Sequence, residues 1–375
     1  MPYILETLAL RGFRSYKEAH VEFDPRLTIL FGPNAAGKTN IIEALQLLTA
    51  GESFRKPLRQ DLIHWECDQA SATLRAVDGS LKRDVELLVT GDSRITLVNE
   101  KKIRSSHEIS SALPCVVFTP DDLRIVKESS SRRRQEIDAL GSQLSATYAK
   151  LVSEYKKIIT QRNRLLKEEQ YGTEVFSAWD TRMIEVGVAL AEKRSSLFER
   201  LAPYIQRFYE GLLEEEQKSQ TLGLYYESSW GEERDEKSFR TTLELRSEDE
   251  RSRRQSLVGP HRDDLVFEIE RKPARSFASQ GQQRSIALAW KLAQLSVVEE
   301  LTQARPLLLL DDVMSELDQT RRRYLAGLVG EAAQTVITTA NIDYFDKDLV
   351  KKAKTIRIPD DIVGLDLEKR EGNFS

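Results

Sequence analysis

Three short segments of this sequence carry residue types that handle phosphate groups. The first consists of Gly32, Pro33, Asn34, Ala35, Ala36, Gly37, Lys38 and Thr39. Glycines at this spacing let several backbone N–H groups converge on phosphate oxygens at the positive end of a helix dipole. In such a loop the lysine reaches the β- and γ-phosphates, and the hydroxyl ligates a magnesium ion. We therefore predict that the segment binds ATP through Lys38 and Mg²⁺ through Thr39.

A pair of aspartates supplies the second half of this chemistry. Asp311 and Asp312 end the apolar run Leu307–Leu310. Four successive apolar residues predict a strand buried on both faces, and α/β sheets place their ligands at the carboxyl ends of strands. We expect Asp311 to hold Mg²⁺ and Asp312 to polarise the attacking water. Since Asp312 is shorter than the glutamate that many such ATPases use, we predict slow hydrolysis.

A second glycine-centred loop forms the third segment. It consists of Ser279, Gln280, Gly281 and Gln282. We predict a helix that begins near Gln283, and serine and glycine at a helix start can bind a γ-phosphate through hydroxyl, backbone N–H and dipole. Four residues alone are a weak match. The match becomes informative because the segment stands between the other two in the order that such ATPases share.

The elements around these segments predict an α/β fold. Leu27–Phe31 is a predicted strand and Ile41–Leu45 part of a helix, which is the context that a phosphate loop needs. Further strands are expected at 72–77, 85–90, 95–98, 115–118, 265–269 and 335–339, with a turn at 78–80 and a helix at 284–301. The first three of these strands alternate in polarity, so we expect them to be antiparallel.

The middle of the chain has a helical pattern instead. Apolar residues recur every three or four positions from Leu144 to Leu165 and from Phe176 to Leu212, with a break near Tyr171 and Gly172. We predict two antiparallel helices in an ordinary helical subdomain rather than an extended coiled coil. The chain then divides into an ATPase part at 1–125, a helical insertion at 126–255 and a second ATPase part at 256–375.

Composition limits the class of protein. The chain has 375 residues, of which 40% are hydrophobic and 31% charged, and its net charge of −4 argues against a uniformly basic nucleic-acid binder. Cys67 and Cys115 lack the spacing of a disulfide framework or zinc site. No apolar run approaches the roughly 20 residues that span a bilayer. With no leader pattern at the N-terminus, we expect a cytoplasmic protein without a membrane partner.

Longer stretches of the sequence resemble the RecF family of ABC-type DNA-repair ATPases. The resemblance extends from about residue 5 to 340, and its most specific part is Val258–Leu265 followed by Phe277–Arg284. Shorter matches are Gly12–Tyr16, Gly37–Asn40, Glu52–Arg55 and Thr119–Leu123. The resemblance implies an ABC-type ATPase head, lobe I, that carries a helical lobe II.

The resemblance also implies a function. In this family type the segment Ser279–Gln282 of one protomer completes the ATP site on Lys38 of another, and Ser315–Asp318 lies against the partner. ATP would join an ATP-dependent homodimer and hydrolysis, stimulated by DNA, would release it. The implied partners are single-stranded, gapped or junction DNA, the proteins RecR and RecO and, functionally, RecA. The implied setting is replication-fork repair and the SOS response.

Other polar residues have two possible roles. The basic clusters 132–134, 251–254 and 321–323 could neutralise DNA phosphates, but acidic residues neighbour every cluster, which favours a solvated face. His261 is expected to support the turn before the second glycine-centred loop rather than to act as a base. Arg14 and Arg55 could approach the nucleotide or form ordinary ion pairs.

Two positions depart from the broader ABC pattern. Ala340 stands where many such ATPases have a histidine that senses the γ-phosphate, and no glutamine occurs between Gln69 and Gln135 to link Mg²⁺ to the inserted lobe. Three alternatives remain open: the ATPase subunit of a membrane transporter, a structural DNA tether like the SMC proteins, and a DNA clamp that scarcely hydrolyses ATP. The insertion is too short for the coiled coils of an SMC tether.

Overall fold

The computed structural model describes residues 3–78, 81–103, 107–110, 113–168, 173–213, 220–331 and 334–362. The chain forms two compact units, one of residues 1–120 and 298–375 and the other of residues 121–297. The sequence places the first boundary at 125, close to this one. The boundary predicted at 255 falls inside the second unit.

A five-stranded parallel sheet lies at the centre of the first unit. In spatial order its strands are β14 (Lys354–Arg357), β3 (Leu27–Phe31), β13 (Thr335–Thr339), β12 (Leu307–Asp311) and β8 (Cys115–Phe118). Strands β12 and β13 are buried along their whole length, as continuous apolar runs of parallel strands require. The helices of this unit are α1 (Lys38–Thr49), α2 (His107–Ser110), α10 (Gln319–Glu331) and α11 (Lys347–Lys352).

An antiparallel sheet completes the first unit. Its spatial order is β2 (Tyr16–Glu22), β1 (Ile4–Phe13), β4 (Gln69–Asp78), β5 (Leu81–Thr90), β6 (Arg94–Val98) and β7 (Lys101–Lys102). The three predicted antiparallel strands are therefore confirmed as β4, β5 and β6. The predicted turn includes residues 79 and 80, which lie outside the described residues.

In the described residues between 126 and 213, three long helices stand where the sequence predicted two. They are α3 (Ser130–Leu144), α4 (Ala146–Glu168) and α5 (Thr173–Gly211). The first predicted helix is wrong at its start, because Ser145 adopts an extended conformation and its hydroxyl accepts a hydrogen bond from the Tyr148 N–H. The break predicted near residue 171 lies outside the described residues.

Helices α4 and α5 pack antiparallel, as predicted. Arg162 of α4 pairs with Asp180 of α5, while Arg182 of α5 pairs with Glu154 of α4. The residue numbers of the paired side chains therefore rise along one helix while they fall along the other. The helices therefore form a hairpin within the second unit.

A small sheet explains why the second unit extends beyond residue 255. Strand β9 (Leu222–Glu227), which the sequence did not reveal, pairs with β10 (Asp264–Ile269), and β10 pairs with β11 (Lys272–Pro273). Arg133 of α3 forms an ion pair with Asp264 and so ties this sheet to the helices. The unit also contains α6 (Glu236–Leu245), α7 (Ser247–Arg253), α8 (Ala274–Phe277) and the first part of α9 (Gln280–Thr302).

Within the described residues, every helix is too short or too polar to cross a bilayer.

Candidate nucleotide-binding site

The phosphate loop connects β3 to α1 at the carboxyl edge of the parallel sheet. Two of its glycines are required by geometry. Gly32 has φ 154° and a Cβ there would lie 2.2 Å from the Ile358 carbonyl oxygen; Gly37 has φ 100°, and its Cβ would lie 2.5 Å from the Tyr16 hydroxyl. A side chain at either position would force the loop away from its neighbours. The glycines therefore fix the loop beneath the start of α1.

Lys38 closes the loop from inside. Its ammonium group donates hydrogen bonds to the carbonyl oxygens of Gly32, at 2.9 Å, and Pro33, at 2.8 Å. The side chain is largely buried, and this desolvation lowers the pKa of the ammonium group, while Asp312 and Asp311 oppose the shift. The charge therefore stands inside the loop, where bound phosphates would compete for it with two neutral carbonyls.

Thr39 and Asp311 meet at the next position along this edge. The Thr39 hydroxyl donates to Asp311 Oδ1 at 2.9 Å, and the Thr338 hydroxyl donates to the same oxygen at 2.8 Å. The pairing of β12 with β13 sets Asp311 directly opposite Thr338. Burial raises the pKa of Asp311, and the two hydroxyl groups and Arg55 work against that shift.

This donor set fits a magnesium ion. Mg²⁺ favours oxygen ligands and is usually held by one or two protein groups together with phosphate oxygens and water. Thr39 Oγ1 and Asp311 Oδ1 are adjacent oxygens at the mouth of the phosphate loop. The sequence placed both residues at the metal, and the structure brings them within hydrogen-bonding distance.

Asp312 directs its carboxylate to a different neighbour. Its backbone is in the left-handed region, at φ 51°, and its N–H donates to the Thr338 carbonyl and hydroxyl oxygens. The Ala340 N–H lies 3.4 Å from Asp312 Oδ1. A backbone N–H therefore faces the predicted catalytic carboxylate at the position where the sequence pattern lacks a histidine.

The loop after Asp312 is held by its own contacts. The Ser315 hydroxyl donates to the Asp312 carbonyl oxygen at 2.7 Å, and the Arg322 guanidinium donates to the Met314 carbonyl oxygen at 2.7 Å. Arg321 pairs with Asp318. The predicted trans-contact segment is thus anchored on the first unit at both ends.

A buried carboxylate beside the loop was missed by the sequence reasoning. Glu43 of α1 is fully buried and accepts hydrogen bonds from Nε and Nη2 of Arg14, at 2.9 and 2.7 Å. It also accepts from Ser53 at 2.6 Å and from Arg55 at 3.3 Å. A lone acid inside the apolar run of α1 was the available signal. Both candidate arginines therefore take part in ion pairs, and Arg55 also reaches the Asn40 side chain.

The second glycine-centred loop lies on the second unit. Helix α9 begins at Gln280 rather than near Gln283, so the loop forms the first turn of the helix instead of preceding it. Ser279 and Gln280 are exposed. The reason for the early start is a pair of hydrogen bonds between Ser279 and Gln282, which satisfies N–H groups that a helix end leaves free.

His261 supports the turn before this loop, as the sequence suggested. Its Nε2 lies 3.0 Å from the Ser256 carbonyl oxygen, and its Nδ1 lies 3.0 Å from the Tyr155 hydroxyl. Burial lowers the pKa of His261 to about 4. A neutral ring therefore donates from Nε2 and accepts from the tyrosine, which is a structural arrangement.

The basic clusters differ from one another. In the first cluster, Arg132 pairs with Asp122 and Arg133 with Asp264, while Arg134 donates to the Asp263 carbonyl oxygen. These guanidinium groups are thus engaged within the second unit. The other two clusters contain exposed arginines, namely Arg251 and Arg253 in residues 251–254 and Arg323 in residues 321–323.

Comparison with known proteins assigns the chain to a family. A family model described as the RecF/RecN/SMC N terminal domain matches residues 4–358. The DNA replication and repair protein RecF of Heliobacterium modesticaldum is 34% identical over 365 residues, covering 94% of this chain and 97% of that protein. The chain belongs to the RecF family. The RecF-like identity predicted from sequence is confirmed.

Solved structures agree with the RecF assignment. The structure described as the recombination mediator protein RecF-ATPrS in the RecFOR pathway has a TM-score of 0.87 at 29% identity, covering 97% of this chain and 99% of that one. An Smc head domain from Pyrococcus furiosus has a TM-score of 0.55 at 18% identity, covering 98% and 97%. That likeness shows the fold alone. The predicted ABC-type head is confirmed, and RecF is favoured over the SMC tether.

Proposed function

We propose that this RecF-family protein binds ATP and Mg²⁺ on its first unit and hydrolyses ATP slowly as part of DNA repair. The observation that carries the proposal is the contact between Thr39 and Asp311, which joins two predicted metal ligands from distant parts of the chain. A solved relative whose description includes ATPrS supports nucleotide binding. We place the protein in the cytoplasm, in line with the DNA replication and repair role in its relatives' names.

Lys38 has the central part in nucleotide binding. It leaves the carbonyl oxygens of Gly32 and Pro33 and donates to the β- and γ-phosphates, so a charged acceptor replaces two neutral ones. The first N–H groups of a helix have no acceptor within it, so those at the start of α1 would face the same phosphates. Gly32 to Thr39 thus form the phosphate cradle.

The metal would be held by Thr39 and Asp311. Bound Mg²⁺ would neutralise developing charge between the β- and γ-phosphate oxygens. Asp311 must be ionised for this role, and its raised pKa means that protons compete for the site as the pH falls. Thr338 donates to the same carboxylate and keeps it oriented between strands β12 and β13.

Asp312 is the residue we assign to the attacking water. Its carboxylate would orient the water and accept a proton from it. The side chain is one methylene shorter than glutamate, and its Oδ1 already faces the Ala340 N–H. Both features favour a slow turnover, which suits a timer of DNA residence better than a motor.

We further propose that the ATP site is completed by a second copy of the chain. Ser279, Gln280, Gly281 and Gln282 of one protomer would contact the γ-phosphate held by Lys38 of the other. Exposure of Ser279 at a helix start supports this role, since a hydroxyl and a helix N-terminus both favour phosphate. ATP would then stabilise a homodimer and hydrolysis would release it.

DNA is the proposed macromolecular ligand, in gapped, single-stranded or junction form. Family membership supports DNA as the ligand, and the RecFOR pathway in the description of the solved relative supports RecR and RecO as partners that help load RecA. DNA-stimulated hydrolysis and support of the SOS response belong to the same proposal. We also propose that the helical part acts as an insertion in the ATPase head, with the limits of the second unit, residues 121–297, in place of the predicted 126–255.

The test is sedimentation of the purified protein with labelled gapped DNA, in Mg²⁺ with ATP and then with ADP. A dimer on DNA that forms with ATP and dissociates with ADP is the expected result. Ser279→Arg should bind ATP but not dimerise, because the arginine fills the space of the γ-phosphate contact. Lys38→Met should lose both properties.

Two outcomes would contradict the proposal in different ways. A protein that dimerises with ATP but ignores DNA would favour the transporter alternative. Normal ATP-dependent dimerisation of Ser279→Arg would exclude the composite site while leaving the Lys38 site intact.

A further inference from the structure

Ser279 and Gln282 hold each other by two reciprocal hydrogen bonds. The Ser279 N–H donates to Gln282 Oε1 at 2.7 Å, and the Gln282 N–H donates to the Ser279 hydroxyl oxygen at 3.2 Å. A serine before the first helical residue and a glutamine three positions later form a capping box. The glycine-centred loop is therefore also the cap of helix α9.

This cap decides what the Ser279 hydroxyl can do. The oxygen accepts from the Gln282 N–H, which lies inside the first helical turn. Its proton then points away from that turn, and a hydroxyl has one proton to give. Because an ionised phosphate oxygen only accepts, productive contact with a γ-phosphate requires this outward proton. The backbone half of the capping box thus selects the donor orientation, while the Gln282 side chain holds the Ser279 backbone in place.

The amide of Gln282 is itself oriented by a third residue. While its oxygen accepts from Ser279, its nitrogen donates to Gln220 Oε1 at 3.0 Å. Gln220 stands just before β9, and the hydroxyl of buried Tyr209 in α5 lies 3.5 Å from the same Gln220 oxygen. A row of polar groups therefore connects the end of α5 to Ser279, entirely within the second unit.

We propose that Gln282 and Gln220 are positioning residues that hold the Ser279 hydroxyl ready to donate to the γ-phosphate bound by a second copy of the chain. The proposal rests on the composite site of the proposed function. The Gln282 side chain acts by accepting from the Ser279 N–H and so fixing the backbone that carries the hydroxyl, and Gln220 acts by fixing the Gln282 amide. The last turn of helix α5 is thereby linked to the proposed phosphate contact through Gln220 and Gln282.

The test compares variants that remove successive contacts. Gln282→Ala removes the cap acceptor and the link to Gln220, Gln220→Met removes the link alone, and Gln220→Glu keeps an acceptor for the Gln282 amide. For each we would measure ATP affinity, kcat at saturating ATP, ATP-dependent dimerisation and the thermal unfolding midpoint. Ser279→Ala serves as the reference for loss of the hydroxyl.

The expected effect lies in kcat and dimerisation, with ATP affinity unchanged. Gln282→Ala should lower kcat about tenfold, less than the roughly 100-fold expected for loss of the donor itself in Ser279→Ala. Gln220→Met should lower it about threefold with an unfolding midpoint close to wild type, and Gln220→Glu should restore it. A residue that only caps the helix would change the midpoint and leave kcat unaltered.

Each alternative result has a separate meaning. Wild-type kcat in Gln220→Met, or equal loss in Gln220→Met and Gln220→Glu, overturns the positioning role of Gln220. Wild-type kcat in Gln282→Ala overturns the positioning role of the Gln282 side chain. Should that variant fail to fold, the comparison of Gln220→Met with Gln220→Glu still tests the proposal. Wild-type kcat and dimerisation in Ser279→Ala overturn the composite site itself, and this proposal with it.

Discussion

The sequences of the phosphate loop and of the Ser279–Gln282 loop both predict contacts with phosphate, but the local structures of the two loops differ. In the first, Lys38 and Thr39 are satisfied by acceptors on their own unit, namely loop carbonyls and Asp311. In the second, Ser279 is exposed and its cap leaves one donor directed outward. The first loop is held by partners on its own unit, whereas in our proposal the second is half of a contact with another copy of the chain.

The contrast extends to how each loop is held in place. The phosphate loop is fixed by backbone geometry, since Gly32 and Gly37 touch neighbours that a Cβ would displace. The other loop depends on side chains, in particular Gln282 and Gln220. We therefore expect damage to the second unit to affect assembly while ATP binding on the first unit persists.

Arg162 lies in the second unit, and its replacement tests whether that unit can be damaged while the phosphate loop still binds ATP. It is 1% exposed and pairs with Asp180 and Glu250, and it donates to the Ser256 hydroxyl at 2.8 Å. Arg162→Met leaves Glu250 buried without its cation, so we expect a loss of about 3–5 kcal/mol in the free energy of unfolding. Chemical denaturation would measure this loss, and ATP affinity should stay near wild type at low denaturant.

Arg182→Met is the matched control for Arg162→Met. Its pair with Glu154 also joins α4 to α5, but the arginine side chain is 45% exposed. Exposed pairs contribute about 0–1 kcal/mol, so this variant should be nearly neutral. Equal losses in both variants would contradict the assignment of stability to the buried cluster. Loss of ATP affinity in Arg162→Met would contradict the expectation that ATP binding on the first unit persists when the second unit is damaged.

Asp312→Asn tests hydrolysis on the first unit separately from ATP binding. We expect turnover to fall about 100- to 1,000-fold, because the water loses its proton acceptor while the phosphate cradle is unchanged. Asparagine tolerates the left-handed backbone at this position, so folding should be preserved. Steady-state hydrolysis and ATP affinity would be measured together, with Asp343→Asn, an exposed acid beyond β13, as the control.

Two results would revise the role of Asp312. Full turnover in Asp312→Asn would remove it from the reaction. A wild-type protein whose turnover equals that of Lys38→Met would favour the third alternative, a DNA clamp that binds ATP but scarcely hydrolyses it.

His261 predicts a smaller and pH-dependent effect on the second unit. Its pKa is lowered to about 4 by burial, against about 6.5 in an unfolded chain. The neutral ring stabilises the fold fully above pH 6.5, and this contribution is lost as the pH falls from 6.5 through 4. The total loss is about 3 kcal/mol, because the unfolded state binds the proton first.

The measurement is the free energy of unfolding of wild type and His261→Gln between pH 7 and 4. Half-buried Asp180 and buried Asp263 have pKa values raised mainly by desolvation, and their titration acts in the opposite direction. The difference between the two proteins isolates His261, since those acids are present in both. The wild type should lose more stability than the variant on acidification, and parallel curves would contradict the neutral, buried ring.

Particular elements show how far the sequence reasoning reached. Strands β8 and β13 were predicted at their observed bounds, because short apolar runs between turn residues have few other interpretations. Strand β9 was missed, since its residues show no sustained alternation and its partner β10 is distant in the chain. The start of α4 was missed because a capping serine interrupts a continuous apolar stripe.

The sequence by itself determined the family, the phosphate loop and the order of the three phosphate-handling segments, because these depend on residue types at fixed local spacing. Only the tertiary structure decided which side chains meet. Strand pairing brought Asp311 beside Thr338 and Thr39, burial joined Glu43 to two arginines, and Gln220 came to orient Gln282. Such contacts join residues far apart in the chain, and local spacing carries no record of them.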